Sequence, residues 1–311
     1  MALSKVNPNL VSNGGSRSNI IINGGMQAWQ RATSASAIGY TSVDRWSYYA
    51  GSSLAISRST DVPTGFQYAT SVGGGGSDSG LTQKIEASSC KQLVGATITV
   101  SFYLKQTTGA GTDKIAVALA RANSEDNFGG TTSISTQTVS TTTSYARYTC
   151  TFTSLPTEVS NGLQLSIKSN GAGSVVYLIT GVQLELGSVA TDFEHRSYQE
   201  ELLLCEWYFK KWLRSDPRMY DGLSATYTGI AKATNEAFFY MPFNMRATPT
   251  SAYSNIAVHD GVGGVINAVG SSARSALGSF RLIFSSGLTA GDILYIRWTS
   301  STSYISFDAE L

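Results

Sequence analysis

The chain has 311 residues, enough for one large domain or two ordinary ones and for a sizeable core. Charged residues make up 14% and the net charge is +1. That excludes the lysine and arginine excess a nucleic-acid binder needs, and any electrostatic pull toward an anionic membrane. Aromatic residues stand at 11%, with 31 glycines and a visible excess of serine and threonine. This composition suits a β-rich protein whose solvent faces carry hydroxyls in place of charges.

Residues 1–18 are polar, with Pro8 and Gly14-Gly15, and read as an attachment arm. Ile20–Ile22 then predict a strand, Gly24-Gly25 a tight turn, and Trp29 and Arg31 a return toward the sheet. Short strands fit 45–49, 54–57, 66–71, 81–86 and 115–121. Period-two alternation marks GATITVSFYLK, SYARYTCTFT and GLQLSIKS. VVYLITGVQLEL, 175–186, is more continuously apolar and is expected deep in a sheet. SVGGGGSDSG and RANSEDNFGG read as punctuation between strands. Many short strands with little helix predict an all-β fold, an antiparallel jelly-roll sandwich.

The pattern changes at 197. Ser197 and Glu200 have capping-box spacing, and a helix is expected from 198 to about 206, with Tyr198, Leu202 and Cys205 on one face continuing toward Phe209 and Trp212. The aromatic stretch 207–213 is open to a second reading, as the start of a strand. Pro217 ends the segment. A second β-rich block follows, through YTGIAKA, EAFFYMPF, SFRLIF, DILYIRW and SYISFDAEL, the last expected to be tucked into a sheet. The domains expected are thus an arm at 1–18, a jelly roll at 19–196, a helical connector at 197–215 and a second, smaller β-sandwich at 216–311. No repeat of 20–50 residues is present, against a β-helix or propeller.

Cys90, Cys150 and Cys205 are odd in number and form no CxxC, so they are expected to be reduced and buried. No run of 18 apolar residues and no apolar leader region is present, so neither membrane insertion nor a secretory signal is expected. His195 and His259 have no partner at metal-ligand spacing; Glu194-His195-Arg196 is a strand-end triplet. There is no GxSxG and no P-loop, and glycines 73–76 lack the Lys-Ser/Thr a phosphate loop needs. Asp61, Asp78, Glu125 and Asp126 are acids on loops, but nothing in the sequence pairs them as a glycosidase requires. The expectation is a protein that is not an enzyme.

The sequence does supply aromatics on polar backgrounds. Tyr48 and Tyr49 follow Trp46 in VDRWSYY, and Tyr40 and Tyr68 lie near turns. Such rings stack on sugars while neighbouring polar groups bond the hydroxyls, so Tyr40, Tyr48, Tyr49 and Tyr68 are the candidate glycan-binding residues. Trp29 and Trp46 are open to two readings, as sugar platforms or as core. Tyr48 and Tyr49 fall on opposite faces of one strand, so one of them should point outward.

NIIINGGMQAWQR, then YTSVDRW, then VYLITGVQLELGSVATDFEHRSYQEELLLCEWYF resembles a module common in bacteriophage tail fibres and other virion appendages, a jelly roll of the carbohydrate-binding-module type. The resemblance covers roughly 19–212. MPFNMRATPT and YISFDAEL resemble the distal β-domain that follows this module in such proteins. It implies a structural, non-enzymatic virion protein made in bacterial cytoplasm: a homotrimer, attached to other virion proteins through the arm and recognising host cell-surface glycan as a short tail fibre or receptor-binding appendage. The alternative is a head- or tail-decorating adaptor with only virion-protein partners, and a glycan depolymerase stands third. The resemblance also implies that Gly24, Gly25, Trp29, Asp44, Arg45 and Trp46 are framework, with Arg45 paired to Asp44, Glu185 or Glu194. By analogy with related jelly rolls, Asn23, Gln183 and Glu185 would hold a structural calcium where an early loop meets the last strand.

Overall fold

The computed structural model describes residues 19–49, 52–75, 78–108, 111–170, 175–214, 224–240, 245–259, 265–268, 270–275 and 279–311. The arm expected at 1–18 and Pro217 lie outside them. The chain divides into two compact units, the first ending at Leu202 and the second spanning Leu203–Glu310. The fold is all-β in both.

The first unit is a sandwich of two antiparallel sheets. One has the order β1 (Ser34–Ala35), β3 (Ser52–Ser59), β4 (Ala69–Gly75), β11 (Val175–Leu186), β6 (Ile98–Thr108), β9 (Ala146–Phe152). The other has the order β2 (Ser47–Tyr49), β5 (Gly80–Ile85), β10 (Leu163–Ser169), β7 (Gly111–Ser124), β8 (Asn127–Thr141). Alternation sends Val100, Phe102 and Leu104 of one layer and Val117, Leu119, Leu165 and Ile167 of the other into a shared core, where all are fully buried. Each such side chain contributes about 1.5–3 kcal/mol by leaving water. Cys90 and Cys150 join that core as free thiols. Burial pushes the Cys90 thiol up to about 12 and the Cys150 thiol to about 11.

Several strands fall close to where the alternation puts them, and 175–186 matches β11 to the residue. β8 is a departure. Ten of its fifteen residues are serine, threonine or glycine, and most are exposed or half-buried, as befits an edge strand. RANSEDNFGG holds the end of β7, a two-residue turn and the start of β8, with Asp126 at φ 54°. It is hairpin as much as punctuation.

Residues 20–22 are not a strand. Ile20 makes one backbone bond, to Leu184 O, and the remaining bonds go to side chains. Gln83 clamps Ile22 from both sides, accepting from its N–H at 2.9 Å and donating to its carbonyl at 2.8 Å. Asn19 accepts from Ile21 N and Leu184 N. The apolar run is therefore a plug stitched to the sandwich by buried amides. Gly24 follows because β11 bulges between Thr180 and Gln183, freeing Val182 N to donate to Gly24 O at 2.9 Å. A Cβ on Gly24 would sit 2.1 Å from Val182 O. The turn itself uses Asn23 at φ 56° and Met26 at φ 54°. The bulge is completed by Gly181 at φ +62°, where a Cβ would meet the Phe66 ring at 2.6 Å.

The helix spans Tyr198–Glu206, as the spacing predicts. Its capping box forms: Ser197 N donates to Glu200 Oε2 at 3.0 Å, and Glu200 N to Ser197 Oγ at 3.3 Å. Cys205 is buried, but Tyr198 is 51% exposed, so the expected apolar face starts later than its first residue. Phe209 and Trp212 are not helical; they belong to a strand, β12 (Phe209–Leu213). The boundary between units thus lies inside the helix, earlier than residue 216.

In the second unit a three-stranded sheet has the order β12, β21 (Tyr304–Asp308), β15 (Thr250–Ser254). A seven-stranded sheet has the order β17 (Val265–Asn267), β16 (Ile256–His259), β20 (Ile293–Trp298), β13 (Ser224–Ala233), β14 (Glu236–Tyr240), β19 (Ser279–Ile283), β18 (Gly270–Ser275). Trp212, Phe280 and Phe307 pack edge to face between them, with centroids 5.4 Å apart. YISFD is the central strand of its sheet, as a terminal strand needs to be for order.

Candidate functional site: a trough on the five-stranded sheet

The face of the five-stranded sheet turned away from the core is built by the residues that alternation leaves over. Register sets them in three rows. Gln164 lies between Lys84 and Ala120; Ser166 lies between Thr82 and Ala118; Lys168 lies between Gly80 and Ala116. Ser47 faces Thr82 and Tyr49 faces Gly80 on the β2 side. On β7 every outward position from 116 to 120 is alanine, so the middle of the sheet is low. A cavity of about 400 Å³ results, lined by Tyr49, Thr82, Lys84, Gln164, Ser166 and Lys168 among others. Thr82 and Ser166 are only 5% and 6% exposed although they point outward, which makes the face recessed.

The polar groups are joined. Thr82 Oγ1 and Ser166 Oγ are 2.9 Å apart. Burial pushes the Tyr49 phenol up to about 12, while hydrogen bonds with Ser166 and Thr82 act against the rise and Asp78 adds to it. Lys168 Nζ pairs with Asp78 at 2.8 Å. Lys84 Nζ stands 5.5 Å from the Phe128 ring and 6.0 Å from the Tyr40 ring. A low floor, an aromatic wall at one side and hydroxyl, amide and ammonium donors are what a pyranose ring needs: an apolar face to lie against and partners for its hydroxyls.

The sequence candidates separate here. Tyr49 lines the trough, and Tyr40 adjoins it through Lys84. Tyr48 does not belong to it. Its ring is 1% exposed in the core and its hydroxyl donates to Gly73 O at 2.6 Å, so it offers nothing to a sugar. Tyr68 leads into β4 of the other sheet, with Arg58 over its ring at 4.4 Å. Thr82, Lys84, Gln164, Ser166 and Lys168 were missed, although the outward positions of GLTQKI and GLQLSIKS and the alanine row of IAVALA carried the signal.

The framework residues hold the sandwich end. Trp46 is 1% exposed and donates Nε1–H to Asn23 O at 3.1 Å. Trp29 is half-buried against the core and donates to Met26 O at 2.7 Å. Asp44 is buried, accepts from Gln30 N and pairs with Arg31 at 3.5 Å. Arg45, at φ 70°, gives Nη2 to Lys84 O at 2.7 Å. Of the partners expected for Arg45, Asp44 also pairs with Arg31 and Glu194 with Arg196, and Glu185 accepts from Gln183 and Thr191.

Asn23, Gln183 and Glu185 do not fit a calcium cradle. Asn23 Oδ1 accepts from Gln27 N and Ala28 N while Nδ2 donates to Ala28 O and Asp44 O. Gln183 Oε1 accepts from Glu194 N, and Glu185 accepts from Gln183, Thr191 N and Thr191 Oγ1. These oxygens are already taken. Among the described residues no group of three His, Cys, Asp or Glu is placed to hold a metal. The cation that ties the early segment to residues beyond the last strand is Arg196. It donates to Ile21 O at 2.9 Å and to Asn19 O, and pairs with Glu201 at 3.4 Å and Glu194 at 3.6 Å.

Of the loop acids, Asp61 pairs with Lys105, Asp78 with Lys168, and Asp126 accepts from Ala87 N. The trough is lined by no carboxylate.

No family model matches the chain, and no curated protein does. Solved structures similar to it include the enzymatically active domain of tailspike protein 4 from bacteriophage CBA120, at 13% identity over 54% of this chain, with a TM-score of 0.38. The chain spans 21% of that domain's length. The C-terminal family 22 carbohydrate binding module of Clostridium thermocellum Xyn10B is 13% identical over 50% of this chain and 93% of that one, TM-score 0.37. The CBM22-1 xylan-binding domain from Paenibacillus barcinonensis Xyn10C is 16% identical over 47% and 87%, TM-score 0.32.

Proposed function

We propose that this chain is a non-catalytic glycan-recognising protein that binds a saccharide chain in the trough of its five-stranded sheet. The observation that carries the reading is the recessed face itself: an alanine floor, the Tyr49 ring and the linked Thr82 and Ser166 hydroxyls lining one cavity with no carboxylate on it. A glycosidase needs two acid groups across one bond; the lining has none, and Asp78 beside it is paired with Lys168. Tyr49→Ala should weaken binding of whichever glycan the chain selects on an array about tenfold or more, since stacking contacts contribute about 0.5–1.5 kcal/mol beyond area and the phenol's hydrogen bonds are lost with it. Undiminished binding would remove the trough from the reading.

The setting proposed is a bacteriophage virion, assembled in bacterial cytoplasm and contacting a host surface glycan as a short tail fibre or receptor-binding appendage. Its support is the residue order over 19–212. A homotrimer is part of the proposal, supported by Ile230 and Ile293, cross-strand neighbours 59% and 55% exposed on the seven-stranded sheet. Light scattering should give a mass near three times 33.0 kDa; a monomer would contradict it. An adaptor with only virion-protein partners is the second reading, favoured by Leu203 on the helix and Trp207 just past its end, 70% and 43% exposed. A glycan array blank for the assembled protein would select it.

A further inference from the structure

A second groove opens at the edge of the first unit, where β8 ends the five-stranded sheet and β9 the six-stranded one. Its volume is about 580 Å³. A β-bulge shapes it: β7 advances one residue from Leu119 to Ala120 while β8 spans two, from Ser135 to Ser133, leaving Ile134 unpaired. Ser133 lines both this groove and the trough, so the two cavities meet at one strand.

Arg121 lines the groove. It follows Ala120 and so turns to the opposite side of the sheet from the trough. It is half-buried, and its guanidinium makes no hydrogen bond, ion pair or ring contact among the described residues. Glu158, the carboxylate on the lining, does not pair with it. A guanidinium carries five donors in a planar fork, and a partly desolvated charge without a counter-charge is costly. The groove is also lined by Ser135, Ser154 and Gln137, whose amide nitrogen is held by Thr151 O at 2.5 Å.

We propose that this groove takes the acid group of an anionic sugar, a carboxylate or phosphate gripped two-pronged by Arg121 with the surrounding serines and Gln137 bonding the ring. The inference rests on the reading of the chain as a glycan binder but assigns a different cavity, different residues and a ligand class.

The test uses the full chain in affinity electrophoresis through gels holding alginate, polygalacturonate or hyaluronate, their carboxyl-reduced forms, or a phosphate-bearing polysaccharide. The chain should be retarded by at least one acidic polymer and at least about tenfold less by its reduced form, the loss expected for one charge-assisted pair. Retardation by phosphate polymer alone assigns the acid group to phosphate. Arg121→Gln should lose the acid preference at unchanged melting temperature, because the guanidinium bonds nothing in the fold; Arg121→Lys should recover only part, lacking the fork. Equal retardation by acidic and reduced polymers, or acid preference surviving in Arg121→Gln, overturns the inference and leaves the trough reading intact. No retardation by any polymer, acidic or neutral, overturns both.

Discussion

Trp46 and Trp29 stand 17 positions apart and differ in what their removal exposes. Trp46 is sealed in the core with its indole N–H bonded to Asn23 O, and Trp46→Ala should cost about 3–5 kcal/mol. Trp29 is half-buried, so Trp29→Ala should cost less, and the order of the two melting temperatures measured by calorimetry checks the assignment. Single residues were the least legible part of this chain. Tyr48 and Tyr49 are adjacent and chemically identical, and alternation requires one in and one out without saying which. The answer depends on β2 pairing with β5 through Tyr48 opposite Leu81, a contact that no local pattern contains.

At the scale of elements, the strongest strands and the capped helix were legible because each satisfies a local rule: period two, or Ser197 and Glu200 three apart. Residues 20–22 and β8 were not. The first looks like a strand but bonds to Gln83 and Asn19 side chains; the second lacks apolar alternation because it is an edge. The segment at 19–23 depends on the Arg196 hub, so Arg196→Met should destabilise the first unit by about 3–5 kcal/mol by removing the cation that bonds Ile21 O and Asn19 O and pairs with the buried Glu201. Since that cation is a guanidinium, adding a chelator should leave the melting curve of the native chain where it was. A drop of several degrees would return a metal to this junction.

Across the whole molecule, buried acids of high pKa set the response to alkali. Cys90, Cys150 and Tyr49 all have folded values above their ordinary ones, so between those limits the folded chain holds protons that the unfolded chain has released. Stability should therefore be level up to about pH 9 and fall as pH rises from there toward 12, with denaturant midpoints moving down. A midpoint rising over that range would contradict the burial of these groups. Composition foreshadowed this scale: few charges and many hydroxyls give two β-sandwich cores and one recessed polar face, while the depth of that face comes from alanines that carry no chemistry of their own.

The most direct test fills the trough. Ala118 lies at its centre with its side chain pointing out of the sheet, so Ala118→Leu adds bulk there without entering the core. Binding to the glycan selected by the native chain, measured by titration calorimetry, should be lost at an unchanged melting temperature. Full-strength binding by the filled variant would show that the saccharide sits elsewhere.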